Sequence, residues 1–146
     1  MEAIKNAAVG LAARFGTSDP FEICEGLDIS VLRLTLPHNI RGFYTFIKGI
    51  QIIYLNAEIS EEQELRAVCA HELGHAVLHS SHNFLFLKEN TDFVAARFER
   101  EADLFAGYLL LDKQTVYDCR CNGWTTGQIA QMTALPERVV DHCFKN

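Results

Sequence analysis

This sequence has little of what marks exported, membrane-spanning or polyanion-binding proteins. Its start, Met1-Glu2-Ala3, lacks the basic residues of a signal peptide, and no apolar run approaches the roughly 20 residues that a transmembrane helix needs. The net charge of -6 argues against a protein built mainly to bind nucleic acid. The five cysteines are odd in number and form no C-x-x-C pair, which favours reduced thiols. We therefore expect a cytoplasmic protein that binds neither membranes nor nucleic acid directly.

Linker-like composition is missing too. No repeat, low-complexity tract or stretch rich in Pro, Gly or Ser divides the 146 residues. Hydrophobic residues make up 49% and charged residues 22% of the chain, close to globular averages, so disordered and fibrous classes are excluded. A chain of this length buries roughly two thirds of its unfolded surface, which is enough for one core. We predict a single domain over residues 1–146.

The first part of the chain predicts two helices followed by three strands. Ala3 to Phe15 has helical spacing, and Asp19-Pro20-Phe21-Glu22 has the cap, the early proline and the acidic third residue of a helix start. This second helix ends at about Gly26. Alternating residues predict a strand over Ile29 to Leu34. Aromatic and β-branched residues on both sides of Lys48-Gly49 predict a hairpin, with strands over Gly42 to Ile47 and Ile50 to Leu55.

The remainder predicts helices. Ser60-Glu61-Glu62-Gln63 has a capping-box pattern that opens a helix to about His79. A loop over Asn83 to Asn90 precedes a helix that begins at Thr91 or Asp92 and ends at Leu110. Shorter helices follow over Asp112 to Arg120, Thr126 to Met132 and Pro136 to Phe144. Strands followed by helices predict an α+β domain with a small antiparallel sheet of about three strands.

One predicted helix carries an unusual cluster of ionisable residues. From Ala67 to His79 its apolar residues cover every side, which predicts a buried helix. The polar side chains in this stretch are those of His71, Glu72, His75 and His79. A buried carboxylate among imidazoles costs several kcal/mol unless something pairs with it. A bound metal ion would offset that cost.

The spacing of the cluster supports a metal site. His71 and His75 are four residues apart, so they lie about 40° apart on one helix face and can bind one Zn²⁺ together. Glu72 is turned about 100° from His71, which suits a group that contacts the nucleophilic water. This is the H-E-x-x-H arrangement of a zinc peptidase. Gly74 predicts that another element approaches this helix closely.

The third metal ligand is sought on the next helix, because Leu78 and Ser81 stand where a metzincin pattern needs Gly and His. Glu99 and Asp103 border the apolar face of that helix. Geometry therefore favours Glu99 as ligand and Asp103 as acceptor of a hydrogen bond from His71, with surface charges as the alternative. Glu101 points roughly the other way, where an ion pair with Arg97 is expected. Its exchange for alanine should leave zinc occupancy unchanged.

These two segments together resemble a known family. His71-Glu-Leu-Gly-His-Ala-Val-Leu-His79 and Glu99-Arg-Glu-Ala-Asp-Leu-Phe-Ala106 are similar to the motifs of the ImmA/IrrE family of gluzincin-type zinc metallopeptidases, and the similarity extends from Asp19 to Leu111. Two positions depart from the family pattern. Asp103 stands where the family often has Asn, and Asp112 stands where it often has Pro.

The resemblance implies a zincin-like minimal metallopeptidase domain, with a core over 19–111 and a C-terminal helical cap over 112–146. It implies one catalytic Zn²⁺ bound by His71, His75 and Glu99, with Glu72 as catalytic base and Asp103 holding a ligand histidine. It also implies the substrate class: DNA-binding helix-turn-helix repressors of mobile elements or stress responses, cleaved to release transcription. A non-cleaving regulatory module, binding a repressor or a toxin–antitoxin partner around a structural zinc, remains the alternative.

Three further features are open to two interpretations. Tyr44 could donate a proton to a developing oxyanion, or simply pack in the sheet. His79 is interpreted as a core histidine that forms hydrogen bonds and not as a ligand, because Glu99 completes the set. The tail from Thr125 to Val140 weakly resembles a helix-turn-helix, but Arg138 is its only basic residue. A helical cap beside the substrate cleft is therefore expected there.

Overall fold

Helices flank a small sheet in the computed structural model, which describes residues 1–80 and 92–145. Two helices precede the strands and the others follow them, which confirms the α+β class. The predicted loop over Asn83 to Asn90 lies outside the described residues. The described elements are α1 (Glu2–Phe15), α2 (Pro20–Gly26), β1 (Ser30–Leu34), β2 (Gly42–Ile47), β3 (Ile50–Asn56), α3 (Glu62–Leu78), α4 (Asp92–Leu110), α5 (Lys113–Cys121), α6 (Thr126–Thr133) and α7 (Glu137–Lys145).

Side-chain caps begin several of these helices. Asp19 accepts a hydrogen bond from the Phe21 amide before α2, where Pro20 occupies the first turn as predicted. Thr125 and Gln128 form a reciprocal capping box at α6. The capping box predicted at Ser60 is wrong, because α3 begins only at Glu62. Its N-cap is Glu61, which makes no side-chain hydrogen bond to the helix amides. Ser60 therefore lies one residue too early to cap the first turn.

The sheet has the order β1-β3-β2. The β2–β3 hairpin is antiparallel as predicted, and Lys48 and Gly49 both adopt positive φ angles in its two-residue turn. β1, however, runs parallel to β3, with Ser30 opposite Ile52. The sheet is therefore mixed, and the expectation of a wholly antiparallel sheet is wrong at this edge. Residue spacing alone does not reveal on which side of the hairpin β1 lies.

A buried asparagine organises the connection between β1 and β2. Asn56, at the end of β3, has no exposed surface, and its side-chain amide donates to the carbonyl oxygens of Leu36, Pro37 and Ile40. The connection thus passes over the end of β3, and β2 lies at the opposite edge of the sheet from β1. Buried polar groups need such partners, so this amide stabilises the crossing.

The core lies between the sheet, α3 and α4. α3 is buried on most of its surface, as its apolar composition predicts. The C-terminal helices join the same core through Ile129, Leu135 and Val140. Within the described ranges, every helix is too short or too polar to span a bilayer.

Candidate metal centre

Two histidines and a glutamate converge on one face of α3. The ligand atoms of His71, Glu72 and His75 all lie within 4.8 Å of one another. Glu72 and His75 are each only 5% exposed. The i, i+4 spacing therefore places both imidazoles side by side, as the sequence predicts.

α4 supplies the carboxylates. Glu99 Oε2 lies 3.0 Å from His71 Nε2, and Glu99 Oε1 lies 2.8 Å from His75 Nε2. Asp103 Oδ1 lies 2.8 Å from the other ring nitrogen of His71, Nδ1. The structure therefore brings together every residue that the sequence predicts for the site except Tyr44. Glu99, although its side chain is 45% exposed, and Asp103 both contact the α3 histidines.

A glycine permits the two helices to approach this closely. A Cβ atom at Gly74 would lie 3.1 Å from the Cα atom and 3.2 Å from the carbonyl oxygen of Ala102 on α4. These neighbours are backbone atoms that cannot rotate away. Gly74 therefore brings α4 near enough for Glu99 to contact both histidines, which is the close approach expected from the sequence.

The carboxylates and imidazoles strongly perturb one another. Burial would lower the pKa of His71, but its hydrogen bonds to Asp103 and Glu99 outweigh burial and raise it to about 10. Burial would raise the pKa of Glu99, yet hydrogen bonds from His71 and His75 hold it well below its usual range. The negative charge of Glu99 therefore lies next to the Nε2 atoms of His71 and His75.

Glu72 has a different environment. Burial raises the pKa of its carboxyl group, and the nearby His71 and His75 oppose that rise only in part. Its Oε2 lies 4.0 Å from His71 Nε2, at the side of the cluster. A carboxylate that is buried beside the two histidines but outside the Glu99 contacts is placed to exchange a proton.

The donor set fits a divalent metal ion. His71 engages Asp103 through Nδ1, which leaves Nε2 for a metal, and His75 and Glu99 direct their atoms to the same point. Neighbouring ligand atoms of a tetrahedral zinc site are about 3.3 Å apart, from bond lengths of about 2.05 Å. The observed contacts of 2.8 and 3.0 Å need to widen only slightly to admit the ion.

The cluster opens into a cavity of about 330 Å³. His71, Glu72 and Glu99 line it together with the start of β2 and the segment between α6 and α7. The C-terminal cap therefore borders the cleft, as expected. At its mouth Arg41 donates two hydrogen bonds to Glu64, of 2.7 and 2.9 Å, and these hold the pKa of the Glu64 carboxyl below its usual range.

Tyr44 lies outside this cavity lining. Its hydroxyl donates to the carbonyl oxygen of Ser80 at 2.7 Å and accepts a hydrogen bond from Gln51 at 3.0 Å. The residue is 2% exposed. This geometry favours the packing interpretation over the oxyanion one.

Two contacts of α4 differ from or extend the sequence interpretation. Glu101 Oε1 lies 2.8 Å from His79 Nε2, so the expected pair with Arg97 is wrong. The Arg97 guanidinium instead lies 5.1 Å from the Phe98 ring centroid. Arg138 of α7 donates to Asp103, a contact that the sequence analysis missed. No short-range pattern signals it, because the two residues are 35 positions apart.

The comparisons with known proteins point in one direction. Residues 24–145 match the family model Peptidase_M78, described as the IrrE N-terminal-like domain. An uncharacterized immunity region protein 2 of Bacillus phage phi105 is 38% identical over 133 residues, covering 91% of this chain and 84% of that protein. Metallopeptidase ImmA of Bacillus subtilis (strain 168) is 27% identical over 143 residues, which cover 95% of this chain and 82% of that protein.

The family match spans far more than half of the chain, and it includes α3, α4 and all the residues of the metal centre. The resemblance noted from the two motifs is thereby confirmed. The chain belongs to the Peptidase_M78 metallopeptidase family of IrrE N-terminal-like domains.

Proposed function

We propose that this protein is a zinc-dependent endopeptidase that hydrolyses a peptide bond in a protein substrate. The observation that carries the proposal is that Glu99 contacts both His71 and His75 beside an open cavity, whose wall includes His71, Glu72 and Glu99. A closed structural metal site would have four protein ligands and no room for substrate. Three protein ligands beside an open cavity are typical of a catalytic site.

His71, His75 and Glu99 would hold the ion. Bound zinc supplies a Lewis acid that polarises the scissile carbonyl and lowers the pKa of water. Asp103 keeps the His71 ring oriented through its 2.8 Å contact to Nδ1. The family membership supports a metal-dependent peptidase, and the two-imidazole, one-carboxylate donor set favours zinc.

Glu72 would act as the general base. Its carboxylate takes a proton from the attacking water and passes it to the amine that leaves. The buried environment raises its pKa and so makes it a better proton acceptor than an exposed glutamate. Its position at the cavity wall, beside and not among the Glu99 contacts, supports this role.

The proposed substrate is a helix-turn-helix repressor of a mobile element or of a stress response. One relative is a phage immunity region protein, which supports a substrate connected with a mobile element. The cavity is lined by both apolar and charged groups, which suits a polypeptide segment. We place the reaction in the cytoplasm, where the five free cysteines would stay reduced.

The test mixes the purified protein with the repressor-like protein encoded beside its gene and follows discrete fragments by mass spectrometry. Wild-type protein, Glu72→Gln and a chelator-treated sample are compared. Glu72→Gln should retain wild-type zinc content and produce no fragments, because an amide can hold water but cannot accept its proton. Glu99→Ala should lose zinc.

Fragments from the wild type alone support the endopeptidase and locate the scissile bond. Cleavage by Glu72→Gln would overturn the assignment of the base. An intact repressor in every sample, captured by the protein in a pull-down, would instead support a non-cleaving binding module.

A further inference from the structure

A second chain of contacts lies behind the metal centre. His75 Nδ1, on the ring side opposite Glu99, lies 3.0 Å from His79 Nδ1. His79 Nε2 in turn lies 2.8 Å from Glu101 Oε1. His75 and His79 are each 5% exposed, whereas the Glu101 side chain is 34% exposed. We call these three residues the His75–His79–Glu101 chain.

When both imidazoles are neutral and Glu101 is ionised, hydrogen-bond accounting allows one proton arrangement along this chain. A neutral His75 that binds metal through Nε2 carries its proton on Nδ1 and donates it to His79 Nδ1. His79 must then accept at Nδ1 and carry its own proton on Nε2. That proton is donated to the Glu101 carboxylate, which only accepts. With both imidazoles neutral and Glu101 ionised, every contact in the chain is satisfied only when His75 Nε2 presents its lone pair to the metal side.

The surroundings hold the middle member in place. The His79 ring stacks on Phe98, with centroids 3.9 Å apart and planes 10° apart. Phe98 and Glu101 both belong to α4, the helix that also carries Glu99. The two ligand histidines are therefore supported alike: His71 by a carboxylate of α4 directly, and His75 by another through His79.

We propose that His79 and Glu101 are positioning residues for metal binding, which set the tautomer and ring orientation of His75. The inference rests on the proposed function in one respect, that His75 is a metal ligand. It replaces the sequence-based expectation that Glu101 is irrelevant to the metal. Partners of this kind change metal affinity by about 10–100-fold when removed.

The test measures the zinc dissociation constant of metal-depleted protein by competition with a chromophoric chelator. His79→Phe keeps an aromatic ring against Phe98 but cannot accept from His75, and Glu101→Ala removes the terminal acceptor. Both should bind zinc about 10–100-fold more weakly than the wild type. Glu101→Gln retains an oxygen acceptor and should stay close to the wild-type value. Arg100→Ala, at a neighbouring exposed position of α4, is the matched control.

A spectroscopic readout separates positioning from simple loss of structure. Cobalt-substituted His79→Phe and Glu101→Ala should show altered visible absorption bands, because the coordination of His75 changes, while Glu101→Gln should restore the wild-type bands. Far-UV circular dichroism of the metal-free variants reports on the fold independently.

The outcomes distinguish this inference from the proposed function. Wild-type zinc affinity and cobalt bands in both His79→Phe and Glu101→Ala would overturn the positioning role and leave the metal site standing. A wild-type protein that binds no zinc would overturn the metal site itself, and the role of the chain with it.

Discussion

The hydroxyl group of Tyr44 illustrates how one atom's contacts separate two roles. The residue type and its place on a strand are compatible with a catalytic proton donor as well as with packing. The hydroxyl hydrogen is directed to the Ser80 carbonyl oxygen, and Gln51 donates to the same oxygen atom from the other side. Gln51 also donates to the carbonyl oxygen of Ala76, so this pair joins the sheet to the end of α3. The contacts therefore indicate a structural role.

Removal of this hydroxyl should affect stability and not turnover. Tyr44→Phe removes the hydrogen bonds that the buried hydroxyl makes with the Ser80 carbonyl oxygen and with Gln51, which should cost about 1 kcal/mol of unfolding free energy. Loss of an oxyanion donor would instead lower kcat by about 10²–10³-fold. Urea unfolding and the cleavage rate are measured side by side, with Tyr117→Phe, at a side chain 64% exposed, as control. A large fall in kcat with unchanged stability would restore the oxyanion interpretation.

At the scale of secondary-structure elements, the crossing of α3 and α4 creates the candidate metal centre. α3 contributes His71, Glu72 and His75 to this site, and α4 contributes Glu99 and Asp103. Their juxtaposition depends on Gly74, above which the backbone of Ala102 passes. The proposed metal ligands come from both sides of this contact, so a small change in helix separation should alter the site directly.

A methyl group at this crossing should therefore weaken both the fold and the metal site. Gly74→Ala should lower the unfolding free energy by about 1–3 kcal/mol, because the backbone of Ala102 must move. The same movement should displace Glu99 and so weaken zinc binding. Gly10→Ala on α1, where a Cβ meets nothing within 4 Å, should raise stability by about 0.5–1 kcal/mol. Denaturant unfolding and zinc titration of both variants check this. Equal stabilisation by the two substitutions would contradict the role given to Gly74.

At the scale of the whole molecule, Asp112 connects the start of α5 to the segment between α1 and α2. Its carboxylate accepts from the Thr115 amide at the start of α5 and from the Ser18 hydroxyl, which is 94 positions earlier. Burial would raise the pKa of this carboxyl, but these hydrogen bonds hold it below its ordinary value. The C-terminal cap is thus linked to the N-terminal helices as well as to the core.

The contribution of Asp112 should disappear in acid. Since its pKa is lower in the folded than in the unfolded state, the stabilisation is complete well above pH 3.8 and is lost as the pH falls through the folded-state pKa. Asp112→Ala should therefore cost about 1 kcal/mol at pH 7, and the deficit should shrink as the pH is lowered through the folded-state pKa of Asp112. Urea unfolding over a descending series of pH values measures it, with Asp112→Asn as the variant that retains a capping oxygen. A deficit that does not change with pH would contradict this account.

Local chemistry could be predicted from neighbouring residues. Asp19-Pro20 marks the start of α2, Lys48-Gly49 marks the hairpin turn, and the spacing of His71 and His75 predicts a shared metal face. These features depend on residues at most four positions apart, whose relative placement is set by the geometry of a helix or a turn. The choice of Glu99 and Asp103 followed from the apolar face of one helix.

Long-range placement was decided only by how the elements pack. The parallel alignment of β1 with β3, the Glu101–His79 contact and the Arg138–Asp103 contact all join residues at least 20 positions apart. Periodicity reveals which side of a helix is apolar, but it does not reveal which element lies against that side or at what angle. The formation of the core decides which elements become neighbours. The sheet buries one side of α3 and α4 buries another, and the buried polar groups then pair with the polar groups that this packing places beside them.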